Sequence, residues 1–239
     1  MKTDYELILL AAGQGNRMHA VKNKVLLPLL DKPMIVHTLR PFFADSYCKH
    51  IIITVNADEQ LIIKELIDKE FSANDTPVSI VIGGSERQYS SYNGLQYLKQ
   101  PKDGYVMIHD AARPFIKQRE IDRLNEQMQR TGGAILAVPP KDTIKLSTNG
   151  KVKQTIPRQT VWHAQTPQAF SSSLAIAAHE RALQQDFFGT DDAAVVEQIF
   201  EDILIVEGSY DNLKMTTAED LIIGEMLLSS WRESEEQNR

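Results

Sequence analysis

The residues with the clearest chemical potential lie near the N-terminus, in Leu10-Ala11-Ala12-Gly13-Gln14-Gly15-Asn16-Arg17-Met18, with Lys24 further on. Small residues let backbone N–H groups approach a phosphate closely, and several such groups turned inward form an anion-binding nest. Gly13 and Gly15 have the opening spacing of a dinucleotide fingerprint, but Met18 stands where the third glycine belongs. No Gly-Lys-Ser/Thr follows, which excludes a P-loop. On the glycines alone, an ordinary tight turn is an equal reading, and either cation alone reads as a solvated surface charge. Arg17 and Lys24 together beside a phosphate-sized nest read as a clamp for a nucleoside triphosphate. There is no H-E-x-x-H pair of metal-binding histidines on a helix.

Composition limits the remaining possibilities. The 239 residues are 42% hydrophobic and 24% charged, enough for a full globular core. A net charge of -6 argues against a general nucleic-acid or anionic-membrane binder. Cys48 is the only cysteine, so an internal disulfide and a cysteine-based zinc cluster are both excluded. No apolar run approaches the roughly 18 residues of a membrane span. The N-terminus passes from Met1-Lys2-Thr3-Asp4 straight into a strand-like run, without the pattern of a signal peptide. The expectation is a cytoplasmic protein.

These residues need a scaffold, and the pattern supplies one. Short β-rich runs fall at Leu7–Leu10, Ile51–Val55, Ser79–Ile82, Tyr105–Ile108 and Ile135–Val138. Helical stretches fall between or after them at Asp58–Phe71, Arg119–Arg130, Leu174–Gln185 and Ala218–Trp231. In the first of these, Leu61, Ile62, Leu66 and Phe71 can share one face. The alternation predicts an α/β fold: a Rossmann-like, mostly parallel sheet with helices on both faces. In such sheets ligands bind beyond the carboxyl ends of the strands. The tail Glu233–Arg239 is charged and is expected to fray.

One segment departs from the alternation. Residues 142–157 read as strand, turn, strand, with Asn149-Gly150 at the turn, the strongest short hairpin signal. Its strands are half polar, and a lone hairpin is marginally stable in water. The expectation is one domain spanning 1–239, with 142–157 as a protruding β-hairpin arm. The arm packs on a second subunit or, in the plainer reading, on its own domain.

Further motifs identify a relative. Gly83-Gly84-Ser85-Glu86-Arg87-Gln88-Tyr89-Ser90, His109-Asp110-Ala111-Ala112-Arg113-Pro114-Phe115, Trp162-His163-Ala164-Gln165-Thr166-Pro167-Gln168, Thr190-Asp191-Asp192 and Asn212-Leu213-Lys214 follow the N-terminal loop in order. The set resembles the 2-C-methyl-D-erythritol 4-phosphate cytidylyltransferase family over roughly residues 5–228. The resemblance implies CMP transfer from CTP to that alcohol phosphate, with release of pyrophosphate, in the non-mevalonate isoprenoid pathway. The nucleophile is already an anion, so catalysis would rest on positioning and charge neutralisation.

By that resemblance, Arg17 and Lys24 stabilise the α-phosphate and the leaving pyrophosphate. Ala11, Ala12, Gly13 and Gly15 form the CTP loop, and Gly84 and Ser90 contact cytosine and ribose. Asp110 holds Mg²⁺; taken alone, a carboxylate after a strand is more often a cap or a loop solvator. Arg113, Arg158, Thr190 and Lys214 hold the polyol phosphate or orient its attack. Family members resemble arm-swapped homodimers, with Arg158 at the end of the arm. Where many members carry Pro-Lys-Gln, this chain has Asn23-Lys24-Val25.

Plainer roles are expected elsewhere. His109 and His163 are read as structural hydrogen-bonding residues and Trp162 as core. Thr190 is read as a helix cap as well as a ligand contact. Nothing local requires Asp211 to be a second metal ligand. Two other functions share parts of the pattern: a ribitol 5-phosphate cytidylyltransferase, and a nucleotide-binding regulatory module without turnover.

Overall fold

The computed structural model describes residues 1–13 and 23–237. Gly15 and Arg17, both expected in the phosphate grip, lie outside the described residues. The first strand, β1 (Tyr5–Leu10), is buried along its whole length. Leu7 and Leu9 enter one apolar cluster, and Ile8 and Leu10 enter a second. Successive side chains of a strand point to opposite faces, so β1 needs cover on both sides.

Around it stand β2 (Cys48–Val55), β3 (Val78–Ile82), β4 (Tyr105–Asp110) and β5 (Gly133–Val138). An exposed pair, β6 (Ile144–Thr148) and β7 (Lys151–Ile156), comes next, followed by β8 (His163–Ser171) and β9 (Leu204–Glu207). Seven strands form the central sheet in the order β9-β5-β8-β4-β1-β2-β3. All its pairings are parallel except the two made by β8, which runs antiparallel to β4 and to β5. The helices are α1 (Met34–Ala44), α2 (Gln60–Glu70), α3 (Arg87–Leu95), α4 (Gln118–Thr131), α5 (Ser172–Gln184), α6 (Asp192–Val196) and α7 (Ala218–Gln237). The mostly parallel α/β sheet expected from the alternation is what forms.

β8 carries little sequence signal, because His163-Ala164-Gln165-Thr166-Pro167-Gln168 has no apolar run. Its pairing with β5 jumps from Ala164 to Gln168. Pro167, which cannot donate to a ladder, sits inside that irregularity. Gly132 ends α4 with φ 93°, a left-handed cap that glycine adopts without a Cβ penalty.

Three expectations need correction. In and just after α2, Leu66 and Phe71 pack against the core beside the buried Ile63 and Ile67, whereas Leu61 and Ile62 do not share that face and are 72% and 55% exposed. Leu61-Ile62-Ile63 offers adjacent apolar residues about 100° apart, so pattern alone cannot choose among the faces, and packing chooses Ile63. Trp162 is not core but 37% exposed, beside an exposed His163 and Ala164 at the start of β8. The C-terminal tail continues α7 to Gln237, since no glycine or proline after Trp231 stops it.

The hairpin forms as read. β6 and β7 make a two-stranded sheet of their own, turning at Asn149 (φ 51°) and Gly150 (φ 74°). Positive φ at both central residues matches the right-handed twist of the flanking strands. Its residues are exposed except for the half-buried Ile144 and Ile156.

Candidate functional site

The loops leaving the carboxyl ends of β1 to β4 open onto one cleft of about 500 Å³. Ala12 and Gly13 follow β1, Asn56 follows β2, Gly84 to Arg87 follow β3, and Asp110 ends β4. Lys24, Lys214 and Thr216 close it from outside the sheet. Parallel strands direct their following loops to one end, which brings together residues distant in sequence.

Asn23 fixes the lysine turn. Its side-chain amide donates to the Ala11 carbonyl at 2.6 Å and to Glu59 Oε2 at 2.8 Å, and its Oδ1 accepts from the Val25 N–H at 3.3 Å. The turn is thus pinned to the end of β1. Lys24 Nζ donates to the Met215 carbonyl at 3.0 Å, across the mouth of the cleft.

The wall after β3 is built by close approach. A Cβ on Gly84 would meet Tyr89 Cβ at 2.1 Å, and one on Gly83 would meet Ala12 Cβ at 2.5 Å. The Gly84 N–H donates to Ser90 Oγ at 3.0 Å, tying this loop to the first turns of α3.

Asp110 is the electrostatic centre. Arg87 Nε lies 3.1 Å from its Oδ1, while Lys214 Nζ and Arg113 Nε lie 2.7 and 4.0 Å from Oδ2. Burial alone would raise the Asp110 carboxyl, but the charges of Arg87, Lys214 and Arg113 outweigh it and hold it well below the usual carboxylate range. It is therefore ionised at any ordinary pH. The Asp110 N–H donates to Thr166 Oγ1 at 3.0 Å. That hydroxyl in turn donates to His109 Nδ1 at 2.9 Å, and His109 Nε2 faces the Arg113 carbonyl at 3.3 Å. This is a neutral imidazole with one acceptor and one donor nitrogen. Burial pushes His109 down to about 3, and its place in the structure is to hold the backbone at Asp110.

Among the described residues, no three His, Cys, Asp or Glu side chains converge on a metal position. Magnesium can be held by one or two carboxylates when substrate phosphates and waters complete its shell. The ionised Asp110 at the cleft, with Glu86 also lining it, fits a cation that arrives with a nucleotide.

The other candidates divide. Ala12, Gly13, Lys24, Gly84, Ser90, Asp110 and Lys214 all line the cleft. Ala11 is buried behind it, its N–H bonded to the Thr54 carbonyl. Arg113 is half-buried beside Asp110 and donates to the Asn212 carbonyl at 2.7 Å. Thr190 is exposed and is not the cap of α6. Asp191 takes that place, accepting from the Ala194 N–H at 2.9 Å, because the helix begins one residue later than the threonine would need. Arg158 is exposed just beyond the hairpin, donating to the Lys141 carbonyl at 3.1 Å, and does not line this cleft. Asp211 is paired with Lys117 at 2.8 Å.

Sequence reasoning gave no role to Arg87 or Asp192. Arg87 Nη2 lies 2.8 Å from Asp192 Oδ2. Both residues stand inside recognised motifs, but nothing in linear order pairs them.

A model of the 2-C-methyl-D-erythritol 4-phosphate cytidylyltransferase family (IspD) matches residues 6–230. The enzyme of that name from Bacillus pumilus (strain SAFR-032) is 46% identical over 229 residues, covering 95% of this chain and 98% of the relative. The one from Bacillus anthracis is 46% identical over 224 residues, covering 94% and 97%. Among solved structures, the 4-diphosphocytidyl-2C-methyl-D-erythritol synthase from Anaerococcus prevotii DSM 20548 is similar with a TM-score of 0.82 at 29% identity, covering 95% of this chain and 99% of that one. The Francisella tularensis cytidylyltransferase gives 0.77 at 27% identity, covering 94% and 99%.

Proposed function

The chain belongs to the 2-C-methyl-D-erythritol 4-phosphate cytidylyltransferase family, and from that premise we propose how its cleft carries out the reaction. The enzyme transfers CMP from CTP to 2-C-methyl-D-erythritol 4-phosphate and releases pyrophosphate, a step toward isoprenoid precursors. An oxygen of the alcohol's phosphate forms a bond to the α-phosphorus of CTP. The bond from that phosphorus to the bridging oxygen breaks, and its electron pair leaves with pyrophosphate.

The nucleotide lies with its base toward Gly84 and Ser90 and its triphosphate along Ala12 and Gly13. The close packing of Gly83 against Ala12 and of Gly84 against Tyr89 supports this, because it leaves backbone rather than side chain facing the ligand. Lys24 neutralises charge on the triphosphate, and Arg17 and Gly15 join it from the same loop. Lys214 and Arg113, converging on Asp110, hold the incoming phosphate. A dense set of cations around one carboxylate suits a reaction in which two anions must meet.

Asp110 would be the residue that holds Mg²⁺, and the ion would supply further neutralising charge. Arg158 and Thr190 act on the polyol phosphate. The exposed hairpin, with Leu146 and Val152 among its exposed apolar residues, supports a homodimer in which the arm brings Arg158 to the partner's cleft. The chain works as a single nucleotidyltransferase domain with residues 142–157 as its appendage. No described helix is long and apolar enough to cross a membrane. The unpaired Cys48 is in keeping with a cytoplasmic enzyme.

The observation that carries this reading is the convergence of Lys24, Lys214 and Asp110 with the Gly84–Ser90 wall around one cleft. A pyrophosphate-release assay with CTP tests it, run with 2-C-methyl-D-erythritol 4-phosphate and with ribitol 5-phosphate in parallel. Release with the first and not the second is expected. The opposite preference would overturn the substrate assignment.

A further inference from the structure

We propose that Arg87 is a positioning residue that fixes the orientation of the Asp110 carboxylate by bracing it against the buried carboxylate of Asp192. The idea rests on the reading above that Asp110 faces the reacting phosphates. The geometry is a bridge: Nε of one guanidinium stands 3.1 Å from Asp110 Oδ1 and Nη2 stands 2.8 Å from Asp192 Oδ2.

The far end of the bridge is buried, and its contacts are ion pairs. Asp192 is 1% exposed, and its other oxygen lies 3.3 Å from Nε2 of the fully buried His179 on α5. The neighbouring Gln88 ties the same first turn of α3 to the loop ahead of α6. Its amide donates to the Phe187 carbonyl at 2.9 Å and accepts from the Gly189 N–H at 2.9 Å. Gln168 on β8 holds that loop from the other side, bonded to Asp191 Oδ2 at 2.7 Å and to the Ala193 N–H at 2.8 Å. Arg87 therefore leans on a fixed object.

The near end needs such a brace. The terminal torsion of an aspartate is broad, so position on a strand does not fix where its two oxygens point. Lys214 is a point charge on a flexible stem and does not select a carboxylate plane, whereas a guanidinium presents its donors in a rigid plane. Arg113 stands further off, at 4.0 Å. A buried ion pair is often no better for stability than apolar residues of similar volume. What this one adds is direction at Asp110.

Two variants test this. Arg87→Lys keeps the charge and loses the bridge. The double variant Arg87→Met with Asp192→Leu removes both charges, so that neither is left buried alone, and keeps the fold even if the single change does not. Folding is checked by circular dichroism. Outer partners of a ligand typically contribute about 10–100-fold to metal affinity or activity. We expect kcat to fall by about that factor, with KM for CTP within about threefold of the unaltered enzyme. Mn²⁺ affinity of the CTP-bound protein, read by electron paramagnetic resonance, should weaken alongside. A merely structural role would lower thermal stability and leave both readouts unchanged in the folded fraction, and that result would overturn the proposal. The unaltered enzyme is assayed in parallel. Its failure to turn over CTP with the alcohol phosphate would instead refute the underlying reading of the cleft, and this proposal with it.

Discussion

Lys214 Nζ lies 2.7 Å from Asp110 Oδ2, joining the segment ahead of the last helix to the end of a central strand. The Met215 N–H donates to the Ala112 carbonyl at 2.8 Å, and Asn212 donates to the Thr166 carbonyl at 2.9 Å. The lysine therefore arrives on backbone held at both sides of it. Its charge meets Asp110 at the wall of the cleft.

Lys24 gives the first test of the clamp. Lys24→Ala should lower kcat by about 10²–10³, the usual loss when one preorganised charge contact is removed. Among the contacts the protein loses is the hydrogen bond to the Met215 carbonyl, and a hydrogen bond made by a charged group contributes about 1.5–3 kcal/mol. Steady-state kinetics with a parallel urea titration would separate the two effects. A near-normal kcat in the folded variant would remove Lys24 from the mechanism.

Asp110→Asn should raise the Mg²⁺ concentration needed for half-maximal activity, because it removes the anionic oxygens and keeps the size. Stability should also fall, since Arg87 and Lys214 lose a buried counter-charge. The assay is therefore a Mg²⁺ titration after EDTA, normalised to folded protein. Activation by Mg²⁺ at unaltered concentrations would show that Asp110 is not the ligand.

The pH dependence of stability should report on His109. Burial holds its imidazole down to about 3 in the folded protein, against about 6.5 in an unfolded chain. Between those values the unfolded chain takes up a proton that the folded one refuses, so stability falls as pH drops below 6.5. At pH 5 the loss from this residue is about 2 kcal/mol. His37 is also lowered by burial and acts in the same direction. Urea midpoints at pH 7 and pH 5 should drop further for the unaltered protein than for His109→Asn. Equal drops would show that His109 does not carry the effect.

Deleting Lys145–Lys153 and closing the gap with a short turn should give a folded monomer that still binds CTP and turns over poorly. The hairpin contributes no strand to the seven-stranded sheet, and no residue of it lines the cleft. Sedimentation and a CTP titration would decide the matter. A variant that stays dimeric, or a monomer with full turnover, would refute a shared site.

The parts legible in the sequence were those with local causes. β1, β2 and β3 show as apolar runs, and Asn149-Gly150 marks its turn through backbone preference alone. The cleft residues Ala12, Lys24, Gly84 and Asp110 could be named because each stands just after a strand or in a recognisable motif. The pairing of Arg87 with Asp192 could not be read, because it depends on α3 and α6 meeting in space. β8 escaped for a related reason: its burial comes from its neighbours β4 and β5, and its own residues are largely polar or small. The face of α2 is only half legible, with Leu66 and Phe71 packing inward and Leu61 and Ile62 facing out, because three consecutive apolar residues leave helical phase undetermined.

β8 returns antiparallel beside β5, and the hairpin lies in the connection between them. Both roots of the hairpin thus emerge at the end of the sheet where the loops gather, from strands already hydrogen-bonded to each other. Such a connection is a port. Chain can be lengthened or shortened there without shifting the register of any strand that carries Asp110 or the loops of the cleft. Changes of length or sequence at this port therefore leave the sheet that positions the cleft untouched, because the one lies in a connection and the other in the strands.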